Sequence, residues 1–484
     1  MDRIVIVGGG ISGLSLSYAL LESDPSADVV VFESEKRAGG KIWTEKVNGF
    51  LCEGGVNGFL DNRAKTLELA SKLLINPLRS SDAARKRYVF SGGKLRLLPE
   101  SPLSFLSSDL LSLYGRLRVM YEFFAPRGSS DDETLADFAR RRLGKEAYEK
   151  LIDPMASGIY AGNPELLSLK SCFPKIFKLE EKYGSLIKGM IKLQRAREKE
   201  RRTDKLQTLY ESDRPNSPAS LREAGRAKLQ TKVSAGPGGT LTSFHNGMGM
   251  IIDSLKSYLE ERLRVGGKVI SVERKGKRYA VHLSDGMIVE AEIVVIASPA
   301  YSAAEILKNL DRHLSSVLSE IQYPSVSVVC FGYRKERIAN KLDGFGFLIP
   351  YKERRKILGA LWDSSIFPGR APDGYVLLRS MVGGARASEI AMQDDSRLID
   401  VVAEELKDIM DIKAQPDFVK IYRHEKAIPQ YNIGHDRKLK TVDEMLLKYK
   451  NLYLTGNAYR GIGVNDCIEN SYKLAETIIR KEEI

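Results

Sequence analysis

A four-residue apolar run, Ile4-Val5-Ile6-Val7, leads straight into Gly8-Gly9-Gly10-Ile11-Ser12-Gly13. This junction constrains the fold more than any other stretch. A short β-branched run of this kind reads as a buried parallel strand. The glycines after it fill a G-x-G-x-x-G pattern in its required place. Gly8 permits the tight turn, Gly10 lets the backbone approach a pyrophosphate, and Gly13 lets the next helix pack on the strand. That helix shows an apolar face at Leu14, Leu16, Ala19 and Leu20, and the following strand, Val29-Val30-Val31-Phe32, ends at Glu33. The unit is a complete βαβ, with Gly8, Gly9, Gly10, Ile11, Ser12 and Gly13 expected on the pyrophosphate and Glu33 on a ribose hydroxyl. By itself it promises an adenine dinucleotide, either NAD or FAD.

Two further glycine turns follow, Arg37-Ala38-Gly39-Gly40-Lys41 and Glu53-Gly54-Gly55-Val56-Asn57-Gly58. In this feature the chain resembles the glutathione-reductase and amine-oxidase groups of flavoproteins. In those groups the first turn lies along the FAD pyrophosphate and the second near the isoalloxazine ring. Near the end, a strand over 451–457 precedes Gly461-Ile462-Gly463-Val464, which enters a helix over 467–480. Amides at such a helix start can face an anionic or electron-rich ring edge. No second strand, G-x-G-x-x-G and helix occurs, and no Cys-x-x-Cys pair. A reductase would need a nicotinamide site, so the expectation is an FAD-dependent oxidase that passes electrons to oxygen or another diffusible acceptor.

At 484 residues with 43% hydrophobic side chains the chain can build two or three cored domains. Its formal charge of +12 favours anionic partners, namely acidic substrates, anionic lipid or nucleic acid, without choosing among them. Cys52, Cys172, Cys330 and Cys467 are scattered, as are the five histidines, so neither a disulfide framework nor a metal site is expected. No apolar run reaches the roughly 18 residues of a spanning helix. The first strand begins at Arg3, so no cleavable signal is expected and the cytoplasm is the expected compartment.

The expected fold class is α/β, a Rossmann-like FAD-binding domain joined to an α+β substrate domain and a helical domain. Residues 1–86, 233–298 and 441–484 are assigned to the FAD-binding domain, including a helix over 250–263 and returning strands at 268–273, 279–283 and 293–297. Residues 99–205 read as helical, with apolar spacing at 103–113, 117–124, 134–142 and 147–152. Residues 87–98 and 299–440 form the substrate domain, whose strands at 326–333, 345–349, 357–361 and 376–381 suggest a separate sheet. Residues 206–232 read as a mobile surface segment. Acidic residues interleave its basic ones and aromatics are scarce, which argues against a nucleic-acid arm.

Over nearly its whole length the chain also resembles the oxygen-dependent protoporphyrinogen and coproporphyrinogen oxidases of haem synthesis. The carriers include Lys86-Arg87-Tyr88, Gly158-Ile159-Tyr160-Ala161-Gly162-Asn163, Ser171-Cys172-Phe173-Pro174, Gly344-Phe345-Gly346-Phe347-Leu348-Ile349-Pro350, Phe367-Pro368-Gly369-Arg370 and Pro429-Gln430-Tyr431. The resemblance implies a helical domain resting on an anionic membrane surface and a protein peripheral to its inner face. It implies Arg87 as partner of a propionate, Gly158 and Ala161 beside the ring, Leu348, Leu361 and Met381 against the macrocycle, and Phe345 and Gly346 nearby. For the cofactor it implies Gly39, Gly40, Lys41, Gly55, Val56, Gly58, Val269, Gly461, Ile462, Gly463 and Val464, with Asn57 as a polar contact at the flavin. The implied chemistry is hydride transfer from a porphyrinogen methylene to flavin N5 with loss of a pyrrole proton, then reoxidation by O2. Three rounds remove six electrons.

Two departures stand out. Members often carry Arg-Trp where this chain has Arg423-His424, and Ser-Phe-x-Gly-Gly-Met where it has Ser243-Phe244-His245-Asn246-Gly247-Met248. The residues alone leave other readings open: Leu348, Leu361 and Met381 as ordinary core, Arg87 as a surface charge, another amine-oxidase-superfamily activity on an amine or carotenoid precursor, or a non-catalytic scaffold. Protoporphyrinogen IX and coproporphyrinogen III are not separated, and a homodimer stays open.

Overall fold

The computed structural model describes residues 2–99, 102–128, 130–195 and 239–482. The segment read as mobile, 206–232, lies outside the described residues. Five parallel strands form a sheet in the order Leu263–Val265, Val29–Glu33, Ile4–Val7, Ile293–Ile296, Leu452–Leu454. Distant parts of the chain thus meet around the opening motif. All four residues of Ile4–Val7 are buried, as a central strand covered on both faces requires. Helices Ile11–Ser23, Gly249–Leu259 and Val464–Glu482 share one core with this sheet. Ser471 Oγ donates to Ser12 O at 2.8 Å, tying the last helix to the first.

Only one of the three returning strands expected at 268–297 joins that sheet. Val269–Lys275 and Arg278–Leu283 pair instead with Ile288–Ala291 in a separate antiparallel sheet. The pattern explains the split. Val272, Tyr279 and Val281 pack with Phe32 and Val294 in one core, while Glu273, Arg274 and Lys275 are exposed. Ile293–Ile296, buried throughout, suits a strand covered on both faces.

A seven-stranded sheet runs Phe418–His424, Val326–Arg334, Tyr375–Gly383, Ile357–Leu361, Gly346–Leu348, Arg87–Ser91, Lys94–Leu97. Its two faces have different fates. Val329, Phe331, Phe347, Ala360, Leu378 and Val382 point to one face, sealed by Leu398, Val401, Val402 and Leu406 of helix Asp395–Met410. On the other face Val328, Cys330, Leu377, Phe418 and Tyr422 pack with Phe50 and Cys52 of the hairpin formed by Thr44–Val47 and Phe50–Glu53. This second face therefore looks toward the nucleotide-binding motif.

The helical region departs from the single helix expected over 103–113. Pro102–Ser107 stops, Leu110 and Leu111 turn into the core, and a new helix, Leu113–Met120, begins. Ser108 Oγ accepts from Leu110 N at 3.2 Å and Ser112 Oγ from Gly115 N at 3.0 Å. Such side-chain bonds compete with the helix and then cap the next one. Arg142, fully buried, donates to Glu180 Oε1 at 2.8 Å and Ala125 O at 2.9 Å and so pins these helices together. Among the described residues no helix is long and apolar enough to cross a membrane.

Candidate functional site

The opening turn is closed on one side and open on the other. A Cβ on Gly13 would lie 2.0 Å from Gly8 O, and one on Gly8, at φ +116°, would lie 2.9 Å from Ser298 N. A Cβ on Gly10 would meet nothing within 4 Å among the described residues. That open side, at the start of the 13-residue helix Ile11–Ser23, is where the sequence places a pyrophosphate. Glu33 does more than wait for a ribose. Its Oε2 accepts from Gly9 N at 2.8 Å and its Oε1 from Glu35 N at 2.9 Å, latching the turn to the second strand.

The second expected turn folds onto the first. Gly39 N donates to Gly9 O at 2.8 Å, and a Cβ on Gly40 would lie 3.4 Å from Gly10 Cα. The Arg37 guanidinium holds the loop by donating to Ala38 O, Ile42 O and Gly40 O at 3.0, 2.9 and 2.7 Å. Lys41 Nζ donates to Lys426 O at 2.7 Å, and burial pushes its pKa down. Val269 is buried in the core that holds Phe32, beside the strand that ends at Glu33.

The third turn, 54–58, is packed from both sides. A Cβ on Gly55 would lie 2.2 Å from Lys41 O, and one on Gly58 would lie 2.6 Å from Thr242 O. Val56 packs on the first core. Asn57 Nδ2 and Oδ1 are buried with no hydrogen-bond partner among the described residues. An orphaned buried amide costs about 1–3 kcal/mol unless something pairs with it, so it marks a place for a polar ligand edge.

Beneath this turn lies a quartet of buried charges that sequence reasoning missed as a unit. Arg379 Nε is 2.9 Å from Asp363 Oδ2, and Arg370 Nη2 is 3.7 Å from Glu53 Oε1. Glu53 also accepts from Thr44 Oγ1 at 2.5 Å and Met248 N at 2.8 Å. Burial raises the Glu53 and Asp363 pKa values while the two arginines pull them down. A lone Arg in the apolar run 376–381 was the available signal. The departure at Asn246 falls on an exposed residue, while the neighbouring Met248 amide keeps its bond to Glu53.

At the C-terminal motif, Gly461 takes φ +105° and its N–H donates to Tyr431 Oη at 3.0 Å; that hydroxyl in turn donates to Asn457 O at 2.6 Å. Ile462 packs with Tyr160 and Tyr431, and Val464 joins the first core at the start of the 19-residue helix Val464–Glu482. A Cβ on Gly463 would meet Asp466 Oδ2 at 3.2 Å.

The residues expected on the macrocycle share the sheet face turned toward these turns. Arg87 pairs with Gly346, Gly346 with Leu361, and Leu348 with Gly359, which pairs with Met381. Opposed residues share a face, so a one-residue slip would turn all of them away. Leu348, Leu361 and Met381 are half-buried, whereas Phe347, Ala360 and Val382 on the reverse face are sealed. A Cβ on Gly158 would lie 2.8 Å from Leu348 Cδ2, bringing helix Asp153–Tyr160 over this face. Ala161 ends that helix in the left-handed region at φ +46°, and its carbonyl accepts from Ala385 N at 2.7 Å. The exposed Arg87 guanidinium lies over the Phe345 ring at 5.3 Å.

The whole arrangement has known counterparts. The chain is 32% identical over 489 residues to protoporphyrinogen oxidase 1, chloroplastic, of Arabidopsis thaliana, covering 97% of this chain and 87% of that one. It is 30% identical over 482 residues to coproporphyrinogen III oxidase of Bacillus subtilis, covering 96% of each. A crystal structure from Exiguobacterium sp. 255-15, described as a candidate protoporphyrinogen oxidase, matches with a TM-score of 0.79 at 25% identity over 99% of this chain and 98% of that one. Residues 11–479 match the family model of flavin containing amine oxidoreductases, and the chain belongs to that family.

Proposed function

We propose that this protein oxidises a porphyrinogen, protoporphyrinogen IX or coproporphyrinogen III, to the porphyrin in haem biosynthesis, with FAD as cofactor and O2 as acceptor. The observation that carries the reading is the half-open apolar face of Leu348, Leu361 and Met381, edged by the exposed Arg87 and set against the turn that holds the unpaired Asn57 amide. That face is apolar with a cation at its edge, which suits a tetrapyrrole bearing carboxylates. The relatives named above carry the same activity in their names.

Bound FAD supplies the two-electron acceptance, and the protein supplies position. Gly8 to Gly13, Gly39, Gly40 and Glu33 cradle the dinucleotide end, while Gly55 to Gly58 and Gly461 to Val464 border the ring. Val269 flanks the cofactor and Lys41 adds a cation. Arg87 holds a propionate, and Gly158 and Ala161 leave room for the macrocycle beside Phe345 and Gly346.

The same reading places the helical region on an anionic membrane face, with the protein peripheral on the cytoplasmic side. Leu113, Tyr114, Leu117, Met120, Tyr121 and Phe124 are all exposed within one short stretch, with Arg118 beside Tyr121. An apolar stripe with basic neighbours is the pattern of an interfacial helix.

Anaerobic mixing tests the assignment. Each porphyrinogen is added to the flavin-loaded protein and bleaching of the oxidised flavin is followed. Bleaching by one or both supports the reading, and the faster of the two names the substrate. Bleaching by an amine but by neither porphyrinogen overturns the substrate; a colourless protein that takes up no FAD overturns the enzyme.

A further inference from the structure

Three consecutive carbonyls of the Glu53-Gly54-Gly55 segment are each held by a side chain from the seven-stranded sheet. Arg379 Nη1 donates to Glu53 O and to Gly55 O, both at 3.0 Å. His424 Nε2 lies 2.7 Å from Gly54 O, which fixes the ring as a donor at that nitrogen. Arg379 comes from strand Tyr375–Gly383 and His424 from the end of Phe418–His424, and both occupy the face turned toward the nucleotide motif.

The peptide geometry turns this into a directional device. In a trans peptide the C=O of one residue and the N–H of the next point in opposite directions. The pattern is visible at the first unit, where Glu53 O faces Arg379 while Gly54 N donates the other way, to Trp43 O at 2.7 Å. By the same geometry the N–H groups of Gly55 and Val56 point away from the sheet. Neither has an acceptor among the described residues. Gly54 packs close against the same sheet, since a Cβ there would lie 2.6 Å from the Tyr422 ring.

We propose that Arg379 and His424 are positioning residues that aim the Gly55 and Val56 amides at the flavin ring. Fixed N–H donors at a ring edge stabilise the electron-rich, reduced form more than the oxidised one. The substrate sheet would then set the electron affinity of the cofactor as well as hold the substrate. The inference rests on the placement of the 55–58 turn against the flavin proposed above.

The test uses the flavin-loaded protein and reads the absorption spectrum of bound flavin, its midpoint potential and the FAD dissociation constant. His424→Leu removes the donor, and His424→Gln restores an N–H. His424→Leu is expected to shift the flavin bands, lower the midpoint potential and weaken FAD binding about tenfold, the worth of one hydrogen bond; His424→Gln is expected to return all three toward the parent. Arg379→Lys, a point donor unable to span both carbonyls, is expected to move the readouts the same way and serves if His424→Leu does not fold. Asn57→Ala tests the placement itself. Flavin bands that move in Asn57→Ala but in neither positioning variant overturn this inference and leave the placement standing. Bands unmoved in every variant overturn both.

Discussion

Arg379 and Asp363 form a pair with Nε and Oδ2 2.9 Å apart and side chains only 3% and 1% exposed. Neither charge has solvent to fall back on, so removing one partner leaves the other buried and uncompensated. Asp363→Asn and Arg379→Met are each expected to cost about 3–5 kcal/mol of stability, with the double variant losing much less than their sum. Denaturant unfolding of all four proteins gives the coupling directly; additive losses would mean the two do not act as a pair.

That pair also shows where reading the chain stops. The Ile4–Val7 strand and the glycine turns are legible because their signals are local, a strand and glycines within ten residues. The role of Arg379 is not, because it depends on carbonyls 326 and 324 positions away. The face proposed for the substrate was legible only through resemblance. The run 376–381 is apolar on both sides of its strand, so alternation alone does not say which face stays open; registers such as Gly359 against Met381 decide that. Local chemistry also misled at 103–113, where apolar spacing suggested one helix; the helix stops at Ser107, and Ser112 caps the next, Leu113–Met120, which starts ahead of the expected 117–124.

Gly10 and Gly13 separate cofactor binding from folding. Gly10 has φ −76° and open space where a Cβ would go, so Gly10→Ala is expected to change flavin-free stability by less than about 0.5 kcal/mol. FAD affinity is expected to fall at least about tenfold, since the methyl would take the space proposed for the pyrophosphate. Gly13→Ala puts a Cβ 2.0 Å from Gly8 O and is expected to lose both. Thermal unfolding with and without FAD, with an FAD titration, resolves the two effects.

Arg87, exposed over the Phe345 ring, touches the ligand only at its rim in the proposed reading. A contact held equally in ground and transition states affects binding rather than turnover. Arg87→Ala is therefore expected to raise KM for a porphyrinogen by about tenfold, roughly one charge-assisted hydrogen bond, with kcat within about twofold. A fall in kcat at unchanged KM would place the side chain elsewhere in the reaction.

His435 gives the fold a pH limit. It stacks on Tyr431 at 4.1 Å, and burial pushes its pKa from 6.5 down to about 4. Between those values the unfolded chain binds more protons than the folded one, so stability falls as pH drops through the window and is unaffected by this group above it. The full loss is about 3 kcal/mol, and His435→Phe is expected to flatten the profile between pH 6.5 and 4. Unfolding midpoints across that range, for parent and variant, measure the slope; equal slopes would assign it to other groups.

The stripe on Leu113–Met120 and the residues after it offers a contact that can be tested apart from catalysis. Leu117 and Phe124 are 57% and 71% exposed, so replacing both with Ser removes little packing and is expected to leave folded stability within about 0.5 kcal/mol. Each side chain entering the interface contributes on the order of 1–2 kcal/mol by the apolar area it buries. The double variant is therefore expected to bind vesicles of anionic phospholipid at least tenfold more weakly than the parent. Adding salt should weaken the parent's binding too, because in the proposed reading the basic residues around the stripe would act through screened attraction to the headgroups. Vesicle sedimentation at two salt concentrations checks both, and a double variant that sediments like the parent would remove the stripe from the membrane contact.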